Sequence, residues 1–318
     1  MIFLNILLFI ISLALLLWAG SFLVSALMRI AKFLGWREFV VAFFVIAFAS
    51  TIPNFFIGIS SALHKIPQLS FGDVVGGNLV DLTLAVALAT LFAKTLPTKS
   101  RLVQASSFFT IIVALLPLLL ILDGTLGRGD GLLLIFAFFF YIFWLFSKKE
   151  RFTKVYEDRK DLPIKGFIFF FKDLVKVIIG IGLLLIAAEC VVRTLSFIAR
   201  SFNWQLSLLG ILIVGLGNAL PETYFAIASA RKGQNWMILG NLMGSIIAPA
   251  TLVLGTVALI SPIVIPDFSP FVIARVFLII AALLFFFFIR TGREVTRREA
   301  IFLLFLYILF VILEISFH

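Results

Sequence analysis

The chain has 318 residues, of which 63% are hydrophobic and only 13% charged, and its mean hydropathy is +1.20. A soluble globular domain carries roughly a quarter charged residues, so this composition excludes one and requires a chain that sits in lipid. The 26 Lys and Arg against 16 Asp and Glu leave a net charge of +10, which on its own fits either nucleic-acid binding or membrane topology.

Apolar runs close to the ~17–25 residues needed to span a bilayer fall at 3–28, 39–63, 70–93, 102–122, 131–147, 167–190, 206–230, 236–260, 270–289 and 300–317. They predict an all-α integral membrane protein of ten transmembrane helices. Five lie in a first half (1–147), and a linker at 148–165 leads to five more in a second half (166–318). The first run has no basic flank and no small-residue cleavage site, so it reads as a retained span and not a signal peptide.

The basic residues decide the charge question. Alternate loops collect Arg29, Lys32 and Arg37; Lys94, Lys99 and Arg101; the 148–165 segment; Arg231 and Lys232; and Arg290, Arg293, Arg297 and Arg298. The opposite loops hold only Lys65, Arg128 and Arg200. By the positive-inside rule the first set is cytoplasmic, which puts both termini outside a plasma (inner) membrane. The partners expected are therefore the bilayer and inorganic cations, not nucleic acid. The lone Cys190 has no partner for an intramolecular disulfide and reads as a small buried residue.

One stretch occurs twice. Residues 17–64 and 185–232 align without a gap at a constant separation of 168 positions, and the match resumes at 72–76 and 240–244. Leu17, Ala19, Trp36, Pro53, Ile59, Ser61, Gly72 and Gly76 recur as Leu185, Ala187, Trp204, Pro221, Ile227, Ser229, Gly240 and Gly244. Five spans is an odd number, so the second copy enters the membrane from the opposite side. Inverted repeats with Pro-interrupted spans point to a transporter whose equivalent segments meet near the midplane.

The second span reads Ala49-Ser50-Thr51-Ile52-Pro53-Asn54, and the seventh reads Gly217-Asn218-Ala219-Leu220-Pro221-Glu222. A proline within a helix removes one amide donor and leaves a carbonyl a turn earlier without its partner. In hydrocarbon that oxygen must be satisfied, and a hard cation held also by the neighbouring side-chain oxygens would do so. In the third and eighth spans, Gly72 with Gly76 and Gly240 with Gly244 allow close helix approach. Asp73, Gly77 and Asp81 fall on one face of the third span, and Asn241, Ser245 and Pro249 on one face of the eighth.

At these residues the sequence resembles the cation/calcium exchanger superfamily, in particular the compact prokaryotic sodium/calcium exchangers, over nearly the whole chain. The resemblance rests on ten spans, inverted five-span repeats, and paired motifs of the types G-T-S-L-P-E and G-N-x-x-G-S-N. It implies exchange of calcium for sodium by alternating access at a midplane site. In the family that site uses the two motif glutamates, hydroxyls before the proline, the serine of G-S-N, and an amide or acid four residues further on.

Carried over residue by residue, repeat 1 keeps Ser50, Thr51 and Pro53 but has Asn54 for the glutamate, Gly77 for the serine, and Asp81 at the position usually Asn. Repeat 2 keeps Pro221, Glu222 and Ser245 but has Asn218 and Ala219 for the hydroxyl pair and Pro249 where an acid is usual. The implied cation ligands are thus Glu222, Asp81, Asn54, Asn218, Ser50, Thr51 and Ser245. Carbonyls around Ala47 and Gly215, with water, would bring the count toward the six to eight oxygens calcium takes. No cofactor is implied, since Ca2+, Na+ or H+ would be cargo.

Each of these residues also has a plainer reading. Glu222 and Asp81 carry the functional reading because ionisable groups are costly within a span, although Asp81 also suits an interhelical hydrogen bond. Asn54 and Asn218 suit either ligation or interhelical hydrogen bonding, and Ser50, Thr51 and Ser245 are types common at any membrane helix contact. Asp73 reads as a cap or vestibule residue at the mouth of its span. Glu189 and Arg193, one turn apart, read as a local ion pair. Glu314 and His318 read as interfacial, and the many Phe as lipid-facing.

An enzyme is not expected: no H-E-x-x-H or G-x-S-x-G run is present, and His64 and His318 stand apart from the acids in sequence. The function expected is secondary cation antiport, most directly Ca2+ for Na+. Exchange of Ca2+ for H+ is the alternative, because a carboxylate buried without a cation tends to hold a proton. A cation-binding relative that no longer exchanges is the reading from a different class.

Overall fold

The computed structural model describes residues 2–33, 38–98, 101–147, 163–202, 204–231, 233, 235–265 and 271–317; at 24, 27, 28, 31–33, 38–50, 101, 102, 146, 163–171 and 235–237 it describes the backbone alone. The described residues build ten helices, as the apolar runs predict. In the first half these are α1 (Ile2–Phe33), α2 (Glu38–Leu63), α3 (Gln68–Val80, continuing to Ala93), α4 (Arg101–Leu120) and α5 (Arg128–Ser147). In the second half they are α6 (Pro163–Phe202), α7 (Leu206–Leu209, continuing through Gly215–Arg231), α8 (Asn235–Ala248, continuing through Leu254–Ile260), α9 (Val272–Arg290) and α10 (Arg297–Phe317). Helices are the solution because lipid offers no partner for backbone N–H and C=O groups.

The two halves repeat one another at the widened turns of α3 and α8, whereas α7 has a further π-helical turn at Gly210–Val214 where the equivalent stretch of α2 is α-helical. α3 widens into a π-helical turn at Asp81–Ala85 and α8 does so at Pro249–Val253, the equivalent positions of the duplication. Pro249 has no amide to donate, which favours the wider turn in α8. Within each turn a threonine hydroxyl donates to the carbonyl four residues back: Thr83 to Leu79, and Thr251 to Ile247 at 2.6 Å. The chain is an all-α membrane protein of two inverted five-helix repeats.

Short antiparallel bridges tie the loops together at the two ends of the bundle. β1 (Leu96–Pro97) pairs with β4 (Glu294–Val295), joining the basic 94–101 and 290–298 loops. At that end the Arg231 guanidinium lies 4.6 Å over the Phe92 ring. At the other end β2 (Thr125–Leu126) pairs with β3 (Ile263–Val264), and Gln68 Nε2 donates to the Val264 carbonyl at 2.9 Å. Among the described residues the basic stretches around Lys94, Arg231, Arg290 and Arg293 thus gather at one end, away from the β2–β3 end.

Two hydrophobic clusters divide the interior. The larger gathers α3, α4, α5, α8, α9 and α10 around Phe71, Leu82, Ile246, Phe285 and Phe310. The smaller joins α1 and α6 through Leu16, Ala19, Leu23, Leu184, Val191 and Leu195, and reaches α2, α3 and α7 at Ile57, Leu69 and Val214. α1 and α6 have 32 and 40 residues, about 48 and 60 Å at 1.5 Å per residue, so both outrun a hydrocarbon core of about 30 Å. α6 starts earlier than its apolar run because its first turns project beyond the lipid. There Asp173 accepts from Arg29 Nε of α1 and from Lys176 Nζ, each at 2.9 Å. Outward phenylalanines such as Phe136 and Phe143, 70% and 75% exposed, form part of the lipid-facing surface.

The packing that fixes the centre is backbone on backbone. A Cβ at Gly72 would stand 2.7 Å from the Ser207 carbonyl oxygen, one at Gly210 would stand 2.6 Å from that of Leu69, and one at Gly76 would overlap the Ile211 carbonyl. At these glycines no side chain fits between α3 and α7. The second copy departs from the expected symmetry: Gly240, the counterpart of Gly72, is exposed, with no described atom within 4 Å of its Cβ position. Likewise Pro53 is buried against Gly20 whereas Pro221 is exposed. Gly76→Ala is expected to destabilise by at least about 1–3 kcal/mol, the usual cost of overpacking. Gly240→Ala should change stability by no more than about 0.5–1 kcal/mol, toward greater stability, as an exposed helical Gly replaced by Ala does. Thermal unfolding of both variants in detergent checks the contrast.

Candidate functional site

Where α2, α3, α7 and α8 meet, a small cavity of about 10 Å3, room for about one water-sized group, is lined by equivalent residues from both repeats: Asn54 with Glu222, Gly77 with Ser245, and Asp81 with Pro249. Val74, Asn78, Asn218 and Ala219 complete the lining, which contains no Lys, Arg or His. The inverted duplication explains the convergence, because positions matched in sequence are carried to one point by the twofold relation. Glu222, Asp81, Asn54, Asn218 and Ser245 are between 3% and 7% exposed, so an acidic, oxygen-rich pocket is buried within the bundle.

Two hydrogen bonds cross between the repeats at this pocket. Ser245 Oγ donates to Asp81 Oδ2 at 2.5 Å, with the Leu242 carbonyl 2.9 Å away on its own helix. Asn218 Nδ2 donates to Asp73 Oδ1 at 3.0 Å. Asp81 Oδ1, Asn54 Oδ1 and Asn218 Oδ1 are buried and meet no donor among the described residues. Buried polar atoms are ordinarily paired, and three acceptor oxygens left over in one acid-bearing pocket suit a cation. Among the described residues no three of His, Cys, Asp and Glu converge as a metal centre, so carboxylates would have to act with amide, hydroxyl and carbonyl oxygens.

The seven residues singled out from the sequence fare unequally. Glu222, Asp81, Asn54, Asn218 and Ser245 come together at the cavity. Thr51 is buried at 2% exposure but does not line it, and the side chain of Ser50 lies outside the described residues. Asp73 corrects the reading of it as a mouth residue: it is fully buried and bonded to a cavity residue. The signal was present, since Asp73 stands one turn before Gly77 on the face that carries Asp81. Asn78 also lines the pocket without having been proposed.

Glu189 is more than one end of a local pair. Besides Arg193 Nε at 2.6 Å it accepts from Ser60 Oγ at 2.8 Å and contacts His64 Nε2 at 3.0 Å, which ties α6 to the end of α2. His64 is thus beside an acid, though not one at the cavity. Glu314, near the end of α10, is fully buried against the bundle; His318 lies outside the described residues.

Comparison with known proteins decides the lineage. The family model described as sodium/calcium exchanger protein matches residues 4–147 and 172–316. The chain belongs to the sodium/calcium exchanger family. It is 25% identical over 353 residues to the sodium/calcium exchanger MaX1 of Methanosarcina acetivorans, with 98% of this chain and 99% of that one covered. It is 26% identical over 263 residues to the inner membrane protein YrbG of Escherichia coli, covering 80% and 79%. A solved structure of the sodium-calcium exchanger NCX_Mj, soaked with Na+ and Sr2+, shares the fold with a TM-score of 0.66 at 24% identity, over 98% of each chain.

As a member of this exchanger family the protein is a multi-pass membrane cation antiporter and not an enzyme, its ions being cargo and no cofactor being needed. In this member, Ser245→Ala removes the hydroxyl that holds Asp81. A hydrogen bond to a charged group contributes about 1.5–3 kcal/mol, so divalent-cation affinity is expected to fall roughly 10- to 150-fold in isothermal titration of purified protein.

Proposed function

We propose that this antiporter exchanges Ca2+ for Na+ by alternating access, with Glu222 and Asp81, one carboxylate from each repeat, neutralising the divalent ion. Asn54, Asn218 and Ser245 supply further oxygens, with the hydroxyls of Thr51 and Ser50, one turn before Asn54 in sequence, as further candidates. The observation that carries this reading is the convergence of three duplicated positions on one buried cavity lined by two acids and no cationic side chain. Two negative charges match one divalent cation, and hard oxygen donors suit calcium.

The unequal packing of the two halves also supports alternating access. Gly72 is in contact where Gly240 is exposed, and Pro53 is covered where Pro221 is not. In a twofold-related molecule, a site open to one side at a time requires the halves to adopt different packings, and exchanging those packings opens the other side. The positive-inside rule, applied to the alternation of basic loops in the sequence, supports both termini lying outside a plasma (inner) membrane.

The test is 45Ca2+ uptake into proteoliposomes loaded with Na+, against liposomes loaded with choline. Sodium-dependent uptake is expected in the wild type. Glu222→Gln and Asp81→Asn should each lower its initial rate roughly 150- to 5000-fold, since an uncompensated buried charge costs about 3–5 kcal/mol. Uptake that follows an imposed pH gradient and ignores Na+ would reassign the coupling ion to H+. Absence of uptake with either gradient, in protein that still unfolds cooperatively, refutes exchange.

A further inference from the structure

His64 has an acceptor on each side of its ring. Its Nδ1 lies 2.9 Å from the Ser60 carbonyl oxygen, one turn back on α2, and its Nε2 lies 3.0 Å from Glu189 Oε1 on α6. A carbonyl oxygen can only accept, and so can an ionised carboxylate. Glu189 is arranged as a carboxylate: Arg193 Nε donates to its Oε1 at 2.6 Å and Ser60 Oγ to its Oε2 at 2.8 Å, so each oxygen already receives a proton. A neutral imidazole carries one N–H and can serve one of its two neighbours. Imidazolium carries two and serves both.

The cluster stands at the β2–β3 end of the bundle, beside the Gln68 bond to Val264. The side chains of His64 and Glu189 are 36% and 34% exposed, open enough to trade protons with water, while Ser60 is buried. The other charges near the ring are Arg193, bonded to Glu189, Lys65, next in the chain, and Arg200, two turns beyond Arg193 on α6. α1, α3, α7 and α8 also pack against α2. Their described residues at this end include no further Asp, Glu, Lys, Arg or His, and Asp73, deeper in α3, is bonded to Asn218. The duplication does not repeat the cluster: Ser60, His64, Glu189 and Arg193 correspond to Ala228, Lys232, Ser21 and Ser25. Those two serines donate to carbonyls of their own helix, at 3.1 and 2.9 Å.

We propose that His64 is a proton-operated latch between the repeats. Protonated, it pairs with Glu189 and fastens α6 to the end of α2; neutral, it leaves the Ser60 hydroxyl as the tie. Histidine changes charge between about pH 5 and 8, so acidification at this end closes the latch. A tie made in one half only, between two helices of opposite repeats, favours the packing seen here over the one the twofold relation would exchange it for. Closing the latch therefore slows turnover. The effect on rate rests on the exchanger reading, whereas the protonation of His64 against Glu189 does not and is measured separately.

The experiment labels the ring nitrogens of histidine with 15N in the purified full-length protein, with His318→Gln leaving His64 as the single signal. At pH 6.5 the imidazolium-to-neutral ratio of His64 is expected to fall at least about 3-fold when Glu189→Gln removes the opposite charge. Na+-driven 45Ca2+ uptake is then measured in proteoliposomes with the same pH inside and out. The ratio of the rate at pH 8 to that at pH 6 should be at least about 3-fold smaller in His64→Gln than in the wild type. His64→Lys, a permanent cation, should stay at least about 3-fold slower than His64→Gln at pH 8. Unchanged His64 protonation in Glu189→Gln overturns the latch, as does a His64→Gln protein with the pH profile of the wild type or a His64→Lys protein as fast as His64→Gln. A folded wild type without uptake, whose His64 still responds to Glu189→Gln, overturns the exchanger reading instead.

Discussion

Hydrocarbon satisfies no hydrogen bond, and the architecture follows from that constraint. Every polar group placed within the bilayer has to find its partner inside the protein. Ten helices solve the problem for most of the backbone, but Pro53, Pro221 and Pro249 reopen it at the centre. Asn54, Asp81, Asn218 and Glu222 are tolerable there because they are gathered from three helices into one place, away from lipid, with Asp73 bonded to Asn218 beside them. The same gathering makes an anionic, oxygen-rich pocket, so the feature that is costly for folding is the one that holds a cation.

Glycine contact makes the gathering possible. Gly72, Gly76, Gly210 and Gly215 let α3 and α7 meet backbone to backbone, which brings Asn218 within hydrogen-bond distance of Asp73. Dispersion and these few polar bonds must hold the crossing, since lipid tails are as apolar as leucine and provide no hydrophobic drive between helices. The outer ring of α4, α5, α9 and α10 is packed mainly by aromatic and aliphatic side chains, with β1–β4 and β2–β3 pinning the loops at either end.

The scaffold is duplicated more faithfully than the ligands. The π-helical turns of α3 and α8 recur at equivalent positions, as do the threonines that brace them. At the cavity itself, Asn54 faces Glu222 and Asp81 faces Pro249 across the twofold relation. Helix geometry tolerates many apolar side chains and so drifts little in shape, whereas each ligand position sets charge and can change alone. An asymmetric site in a symmetric frame is the result.

Composition, periodicity and the internal repeat were enough to read ten spans, their inversion and the segments that meet at the centre, because membrane insertion depends on the hydropathy and length of each segment taken alone. Five of the seven proposed ligands could be placed for the same reason: the duplication says which positions the twofold relation brings together. What only the tertiary structure decided were relations between residues far apart in the chain. Asp73 proved to be buried on Asn218 and not at a mouth, Glu189 proved to bridge α6 to α2 through Ser60 and His64, and Glu314 proved to face inward. Gly240 proved exposed where Gly72 is not. A helix's rotation and depth are set by the neighbours it packs against, and no single segment's sequence contains those neighbours.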